Sequence, residues 1–242
     1  MISFIIPAHN EERLLGRTLQ ALQGAAESVD EPFEVIVVDD ASTDSTAAVA
    51  AGQGARVVAA SHHEIAAARN AGASVAKGEL FIFVDADTSV TADAVGAAVR
   101  AMRQGAVGGG CAFTFDGRLP LYGRLLTAVS VPLYRILGLA SGCFLFCTRD
   151  AFEAVAGFDE GLFAAEEAVM SRRLRARGRF VVLREMVTTS GRKLRTHSAR
   201  EIVGVLMRFA LHGLKAARQR EGLDLWYGER RADPEGRDAP VR

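Results

Sequence analysis

Short apolar runs, two of which end at aspartate, constrain the fold of this 242-residue chain more than any other feature. Residues 33–38 and 80–84 are rich in β-branched and aromatic side chains and stop at acidic residues, and residues 3–7 form a similar run that ends in proline. Runs without polar alternation are typical of strands buried on both faces, as in a parallel sheet covered by helices. The sequence therefore predicts an α/β protein.

Segments with helical spacing separate these predicted strands, at residues 11–25, 43–51 and 64–76. Strand, helix and strand in repeated succession predict right-handed βαβ units in one sheet, with helices on both faces. Ligands of such sheets bind beyond the carboxyl ends of the strands. The functional residues are therefore expected where the strands end.

The second half of the chain departs from this alternation. Three consecutive glycines at 108–110 are expected to loosen the chain. The later predicted elements are an apolar helix over 119–138 interrupted by Pro132, a strand over 142–148, a helix over 166–177, a strand over 180–183 and an amphipathic helix over 201–220. Residues 229–242 are charged and contain proline and glycine, which predicts a disordered tail.

Composition excludes several classes of function. Lys and Arg number 29 together, as do Asp and Glu, so no net charge attracts nucleic acid. The three cysteines contain no CxxC pair and predict buried thiols rather than a disulfide framework or a zinc site. The longest charge-free run, 136–148, is shorter than the ~18 residues of a membrane span. Residues 1–7 are apolar but match a signal peptide poorly. These features together predict a cytoplasmic protein that does not span a membrane.

Acidic residues follow the predicted strands, at Asp39-Asp40 and at Asp85-Ala86-Asp87. Alternate residues of a strand point the same way, so Asp85 and Asp87 place two carboxylates together at a strand end. Two such carboxylates repel each other unless a cation or a donor lies between them, and hard oxygen ligands suit Mg²⁺ or Mn²⁺. The alternative is that both aspartates cap a turn.

Four segments follow one another in the chain: FIIPAHNEE, EVIVVDDASTDST, AAARNAGASVAKGELFIFVDADT and AGFDEGLFAAEEAVMSRRLRARG. In residues and in order they resemble the GT-A family 2 glycosyltransferases, over roughly residues 1–185. The resemblance implies a Rossmann-like, mostly parallel sheet flanked by helices. It also implies one GT-A domain over 1–228, with a nucleotide-binding part over about 1–108 and an acceptor part over about 109–228.

The resemblance also implies roles for the residues at the strand ends. Nucleotide and sugar would be bound by Pro7, Ala8, Glu11, Asp39, Arg69, Asp85 and Ala86, with Asp39 accepting from the base and Arg69 beside it. Asp87 would bind the metal, Mn²⁺ or Mg²⁺. Glu11 and Asp40 have alternative interpretations, as a charge at a helix start and as a strand-end cap.

Glu166-Glu167 matches the acidic pair of the family, although the second position is usually Asp. The resemblance favours Glu167 as the general base for an acceptor hydroxyl and keeps Glu166 as second choice. The alternative is that both acids favour a helix dipole.

The segment 189–197 is similar to the basic loop that closes over the diphosphate in smaller members of the family. Arg192, Lys193 and Arg195 would offset the charge of the leaving group, and His197 would complete the metal shell. The alternative is a solvated basic loop. The QxxRW motif of processive synthases is absent, which argues against a cellulose-like or chitin-like polymerase.

The expected function is metal-dependent transfer of a sugar from a nucleotide diphosphate sugar to the hydroxyl of a small-molecule or lipid-linked acceptor. Inversion is the family default, and retention stays open. One rival is a sugar nucleotidyltransferase, which usually has a GxGTRxxPxT loop where PAHNEE stands. A dehydrogenase would need GxGxxG there. The non-enzymatic rival is a GT-A-like protein that binds nucleotide sugars without turnover.

One helix face in the second half is apolar, at Leu121, Leu125, Leu126, Val129, Leu133, Ile136 and Leu137. Core packing is the expected use of this face. The alternative is contact with a lipid-linked acceptor or with a membrane surface.

Overall fold

The computed structural model describes residues 1–228, 231 and 233–235. Within this part of the chain, eight strands form one sheet in the order β3-β2-β1-β4-β7-β6-β8-β5. The strands are β1 (Ile2–Ala8), β2 (Phe33–Asp40), β3 (Arg56–Ala60), β4 (Leu80–Val84), β5 (Thr88–Ser89), β6 (Gly108–Phe115), β7 (Phe144–Thr148) and β8 (Phe180–Thr189).

The described helices are α1 (Leu15–Glu27), α2 (Thr46–Gly52), α3 (Ile65–Val75), α4 (Ala92–Arg103), α5 (Leu121–Leu137), α6 (Arg149–Ala154), α7 (Glu166–Arg175), α8 (Arg192–Thr196), α9 (Ala199–His212), α10 (Leu214–Ala217) and α11 (Asp224–Tyr227). Helices α1 and α4 pack on one face of the sheet, while α3, α6 and α7 pack on the other. The predicted α/β fold, a mostly parallel sheet flanked by helices, is confirmed.

Strands β1 to β4 run parallel, as expected for apolar strands joined by helices. In this register Ala8 lies beside Asp39 at the carboxyl edge. Strand β7 runs antiparallel between β4 and β6, and β6 pairs in parallel with β8. One sheet therefore continues from the first half of the chain into the second.

The glycines at 108–110 do not loosen the chain, as the sequence predicted, but begin β6. A Cβ on Gly109 would lie 2.1 Å from the carbonyl oxygen of Val181, and one on Gly110 would lie 2.5 Å from Cβ of Ala140. Neighbouring segments therefore approach β6 more closely than any side chain permits, which is why glycine stands in a strand here.

Helix α5 continues through Pro132, where the sequence predicted an interruption. Gly123 is its one buried residue. Six large apolar side chains of α5 are 46–82% exposed: Leu121, Leu125, Val129, Leu133, Ile136 and Leu137. Core packing was therefore the wrong expectation for this face, because nothing in the described chain covers it.

Three further features complete the fold. The helix predicted over 201–220 is divided into α9 and α10 at Gly213, whose φ is +54°. No helix in the described ranges combines the length and the apolar character needed to cross a bilayer. Of the predicted disordered tail, residues 229, 230, 232 and 236–242 lie outside the described residues, whereas Asp233 forms an ion pair with Arg195.

Candidate active site

The carboxyl ends of β1, β2 and β4 meet at one edge of the sheet, because parallel strands end on the same side. Pro7 and Ala8 end β1, and the segment from Asp85 to Asp87 follows β4. Ala8 and Ala86 are buried. The residues expected from the strand ends therefore share one edge of the sheet.

Asp39 and Asp40 end β2 but have different surroundings. Asp40 accepts hydrogen bonds from the backbone N–H groups of His62 (2.6 Å) and Glu64 (3.1 Å), so it caps the segment that leads into α3. The buried Oδ1 of Asp39 has no hydrogen-bond partner in the described part of the chain. Because an unpaired buried acceptor costs about 1–3 kcal/mol, Asp39 is suited to accept from a ligand.

Arg69, on α3, links the acidic strand end to α7. Its guanidinium donates to Asp85 (2.9 Å), to Glu166 (2.7 Å) and to the carbonyl of Gly142 (2.9 Å), and the residue is only 2% exposed. Burial lowers the pKa of Arg69, but the carboxylates of Asp85, Glu166 and Glu167 raise it above its ordinary value. The place of Arg69 beside the nucleotide base stays a prediction; what the structure shows is that Arg69 joins the segment after β4 to the start of α7.

Asp87 is held by one donor from each of two neighbouring segments. The Oγ1 of Thr189 donates to it over 3.3 Å, and Nη2 of Arg192 lies 3.4 Å from its other oxygen. Burial and the negative charge of Glu11 raise the pKa of Asp87 to about 6, while Arg192 opposes the shift. Negative charge is therefore concentrated where the sequence predicted a metal ligand.

Arg192, the first residue of α8, also forms an ion pair with Glu11. Its Nη1 donates to Oε2 of Glu11 over 2.9 Å, and Nη2 donates to Oε1. Two parallel hydrogen bonds make this a bidentate pair, which is the strong geometry for arginine and carboxylate. The side chain of Arg192 is 22% exposed. The segment expected to be a basic loop contains a helical turn, and its first residue is paired with Glu11 and Asp87, which the alternative of a solvated loop did not predict.

The other cations of the basic segment have separate partners. Nζ of Lys193 lies 5.6 Å from the ring centre of Trp226, and burial lowers the pKa of Lys193. Arg195 is buried between Asp116 and Asp233. The pairing leaves Lys193 better placed than Arg195 to meet a further anion.

His197 hydrogen-bonds through Nδ1 to the carbonyl of Lys193, over 3.0 Å. Across the described chain, no three His, Cys, Asp or Glu side chains stand together as a metal-holding group. His197 therefore does not form such a group with Asp85 and Asp87. The two aspartates remain a hard oxygen donor set. Burial, followed by the charges of Glu11 and Asp85, raises the pKa of Asp87, and a divalent cation would offset this negative charge.

Glu166 and Glu167 begin α7 and have unequal freedom. Glu166 is buried in its ion pair with Arg69. Oε2 of Glu167 lies 3.9 Å from the position that a Cβ on Gly142 would take. Nη2 of Arg69 lies 3.4 Å from that position, so Glu167 and Arg69 border the same space beside Gly142. Burial and the neighbouring charge of Glu166 raise the pKa of Glu167 to about 8. A carboxyl with this pKa exchanges protons near neutral pH, which suits a general base.

Strained backbone occurs next to three acids of the site, Glu11, Asp40 and Glu166. Three residues with left-handed φ flank them: Asn10 (52°) before Glu11, Ala41 (57°) after Asp40 and Ala165 (60°) before Glu166. For alanine this conformation costs roughly 1–2 kcal/mol. Such strain is typical of functional sites.

Several residues at the site escaped the sequence analysis. Thr189 and Gly142 contact Asp87 and Arg69 from segments more than 70 positions away, and no local pattern marks them. Trp226, on α11, contacts Lys193 and was also missed. Its being the one tryptophan of the chain is the sequence feature that could have drawn attention to it.

Residues 3–154 match the family model described as glycosyl transferase family 2. The chain belongs to this family. The match includes β1, β2 and β4, so it contains Asp39 and the Asp85-Ala86-Asp87 segment. The resemblance that the motifs indicated is confirmed.

Curated relatives of this family 2 chain are matched over shorter segments. Undecaprenyl-phosphate 4-deoxy-4-formamido-L-arabinose transferase of Aeromonas hydrophila subsp. hydrophila is 32% identical over 112 residues, which are 43% of this chain and 34% of that protein. Validoxylamine A glucosyltransferase of Streptomyces hygroscopicus subsp. limoneus is 34% identical over 131 residues, which are 50% of this chain and 28% of that protein. The match thus spans about a third of each relative.

Solved structures resemble the family 2 chain over most of its length. Staphylococcus aureus TarS 1–349 aligns with a TM-score of 0.61 at 21% identity, over 93% of this chain and 70% of that one. The mannosyltransferase PcManGT from Pyrobaculum calidifontis, in complex with GDP-Man and Mn²⁺, aligns with a TM-score of 0.68 at 20% identity, over 90% of this chain and 64% of that one. At these identities the likeness concerns the fold.

Proposed function

We propose that this protein transfers a sugar from a nucleotide diphosphate sugar to a hydroxyl of an acceptor, with the help of a divalent metal and with inversion at the anomeric carbon. The observation that carries the proposal is the bridge made by Arg69, which joins Asp85 at the end of β4 to Glu166 at the start of α7. Donor-side and acceptor-side acids are thereby held in one site. The whole of residues 1–228 acts as one domain in this proposal.

The donor nucleotide lies along the carboxyl edge of β1, β2 and β4. Oδ1 of Asp39 accepts a hydrogen bond from the base. This role is supported by the burial of that oxygen without a hydrogen-bond partner in the described chain. Pro7, Ala8 and Glu11 line the base and the ribose, and Asp85 faces the ribose or the sugar. Arg192 and Lys193 offset the negative charge of the diphosphate. Arg195 stays bound to Asp116 and Asp233 and holds α8 in place.

A divalent cation, Mn²⁺ or Mg²⁺, fits the carboxylate oxygens of Asp87 and Asp85. When bound, such an ion stabilises the charge of the departing diphosphate. Nη2 of Arg192 lies 3.4 Å from Asp87, so the residue that would hold the metal adjoins the arginine that would offset the diphosphate charge. The named complexes of the PcManGT structure with GDP-Man and Mn²⁺ support this assignment.

Glu167 takes the proton of the acceptor hydroxyl as that oxygen attacks the anomeric carbon. Glu166 is the second choice, since its carboxylate is bound to Arg69. A base on the acceptor side, opposite the diphosphate, supports direct displacement and therefore inversion. Retention is the expected stereochemistry if neither acid proves to be the base.

The acceptor is a small molecule or a lipid-linked compound. The name of the Aeromonas hydrophila relative, an undecaprenyl-phosphate transferase, supports a lipid-linked acceptor for this chain. The cytoplasm is the proposed compartment, and the three buried free thiols are suited to its reducing conditions.

Calorimetric titration tests the donor and metal assignments together. UDP, GDP and their sugars are titrated into the full chain with Mn²⁺ and, separately, with EDTA. We expect one nucleotide to bind in Mn²⁺ and its binding to be lost in EDTA and in Asp87→Ala. Asp93→Ala removes an exposed acid of the first turn of α4 and should bind as the parent does. Equal affinity with Mn²⁺ and with EDTA would remove the metal from the proposal.

Release of nucleotide diphosphate from the donor separates an enzyme from a binding protein. A glycosyltransferase hydrolyses its donor slowly when water replaces the acceptor. Tight metal-dependent binding without any release, with or without acceptors, would instead favour the GT-A-like protein that binds without turnover.

A further inference from the structure

Exposed large apolar side chains are confined to one part of the described molecule. Of twelve such residues, six lie on α5 and five on α9 and α10, at Val203, Leu206, Met207, Leu211 and Leu214. The twelfth, Met186, lies on β8 two positions from Arg184, whose carbonyl accepts a hydrogen bond from Arg135 of α5. We call the eleven residues on α5, α9 and α10 the apolar surface. Exposure this concentrated marks a binding surface rather than ordinary scatter.

Each helix presents its exposed apolar residues as a single stripe. On α5 they recur at intervals of four residues from 121 to 133 and continue at 136 and 137, and on α9 they recur at 203, 206, 207 and 211. Intervals of three and four place side chains on one helix face.

The two stripes begin at the same place in the fold. Tyr122, near the start of α5, donates its hydroxyl hydrogen to the carbonyls of Leu194 and His197, which precede the start of α9 at Ala199. A Cβ placed on Gly123 would lie 3.4 Å from Cδ1 of Leu194, so α5 and α8 are in close contact there. The apolar surface therefore starts next to α8, the basic turn of the candidate site.

The charges around the apolar surface are mostly positive, although the chain has no net charge. Arg124 and Arg135 are the charged residues of α5 and both are exposed. Arg200 and Lys215 are exposed on α9 and α10. The one acid of α9, Glu201, is already engaged by its capping box and by Arg231.

We propose that the apolar surface docks the protein on a bilayer that contains anionic lipids, with α5 and α9 lying in the interface. Apolar stripes bordered by Arg and Lys match both the acyl chains and the headgroup charge of such a membrane. A second copy of this surface would bring arginine against arginine and is disfavoured for that reason. The proposal goes beyond sugar transfer, since it concerns a surface outside the donor site.

Vesicle flotation with the full chain tests this proposal. Vesicles of phosphatidylcholine with 30 mol % phosphatidylglycerol, roughly the charge density of an anionic leaflet, are compared with pure phosphatidylcholine at low and high salt. We expect the protein to float with the anionic vesicles, more weakly as salt rises. Arg124→Gln and Arg135→Gln should each weaken binding about fivefold.

The double variant Val129→Glu/Ile136→Glu should weaken binding by about tenfold or more, because two apolar contacts are lost and two negative charges are gained. Its matched control, Ala48→Glu/Gln104→Glu, adds the same charge at exposed sites on α2 and after α4 and should still bind. Circular dichroism and unchanged donor binding show that both variants fold, so lost vesicle binding is not a folding defect.

Three results would overturn the proposal. Parent protein that stays with the aqueous phase would remove the membrane as the occupant. Equal binding by parent and Val129→Glu/Ile136→Glu would place the contact elsewhere. A stable dimer in light scattering that Ile136→Glu dissociates would assign the surface to a second copy. None of these results bears on donor binding, so failure here is distinguishable from failure of the proposed glycosyl transfer.

Discussion

Strands β1 to β4 and helix α5 are both rich in large aliphatic side chains, yet they differ in what covers them. Ile5, Ile82 and Phe83 are fully buried between helices, whereas Ile136 is 82% exposed. The helices that cover these strands also bury an ion pair, between Arg69 of α3 and Glu166 of α7. Apolar spacing thus predicts that a face will be covered, but it does not predict by what.

The largest effect is expected where a buried acid does chemistry. Glu167→Gln should lower kcat about 10² to 10⁴-fold, the usual contribution of a positioned base, and leave the nucleotide Kd unchanged. Glutamine keeps the size of the side chain but does not accept the proton. Transfer assays with a competent acceptor, together with calorimetry, measure both quantities.

Glu166→Gln is the matched comparison. The base is the position whose variant loses turnover at unchanged donor affinity. Full activity in both variants would exclude the pair and direct attention to retention or to another carboxylate such as Asp159, which is already bound to Arg173.

Removing the buried cation should cost the next largest amount. Arg69→Met leaves Glu166 buried without its partner, and we expect the free energy of unfolding to fall by about 3–5 kcal/mol. Arg103→Met breaks a pair with Glu31 in which the arginine is 47% exposed, and should cost about 1 kcal/mol or less. Urea unfolding measures both. Equal losses would mean that burial does not distinguish the two pairs.

Activity should also depend on pH through the raised pKa of Glu167, near 8. A base acts when it is ionised, and a raised pKa means that ionisation is completed only as the pH rises through 8. We therefore expect kcat/KM to increase about tenfold per pH unit below 8 and to level off above it. The pH profile of Glu167→Gln should lack this limb, and a limb retained in that variant would assign it to another group.

The smallest effect is expected on α5. Ile136→Ala removes an exposed side chain and should change the free energy of unfolding by about 0.5 kcal/mol or less. Ile82→Ala, its buried counterpart in β4, should cost about 2–5 kcal/mol through lost burial and a cavity. A large loss for Ile136→Ala would show that α5 packs against protein in solution, and would end the contrast between the two regions.

The sequence predicted what depends on neighbours along the chain. The ends of β1, β2 and β4 and the acids that follow them were found because apolar runs and their last residues are local features. The pair of Arg69 and Glu166 was not predicted, since its partners are 97 positions apart. The strand at 108–110 was missed because glycine has no propensity for strands, and only the approach of Val181 and Ala140 explains it.

The bond between Arg192 and Glu11 joins residues 181 positions apart, and this separation sets an order of events during synthesis. At about 5–20 residues per second, roughly 10–35 s pass between the emergence of Glu11 and that of Arg192. In the later part of that interval, once Asp87 has been made, the ribosome-bound chain contains Glu11 and Asp87 but lacks Arg192, which pairs with both. The donor site is therefore completed late, once synthesis has passed Arg192 in the last quarter of the 242 residues.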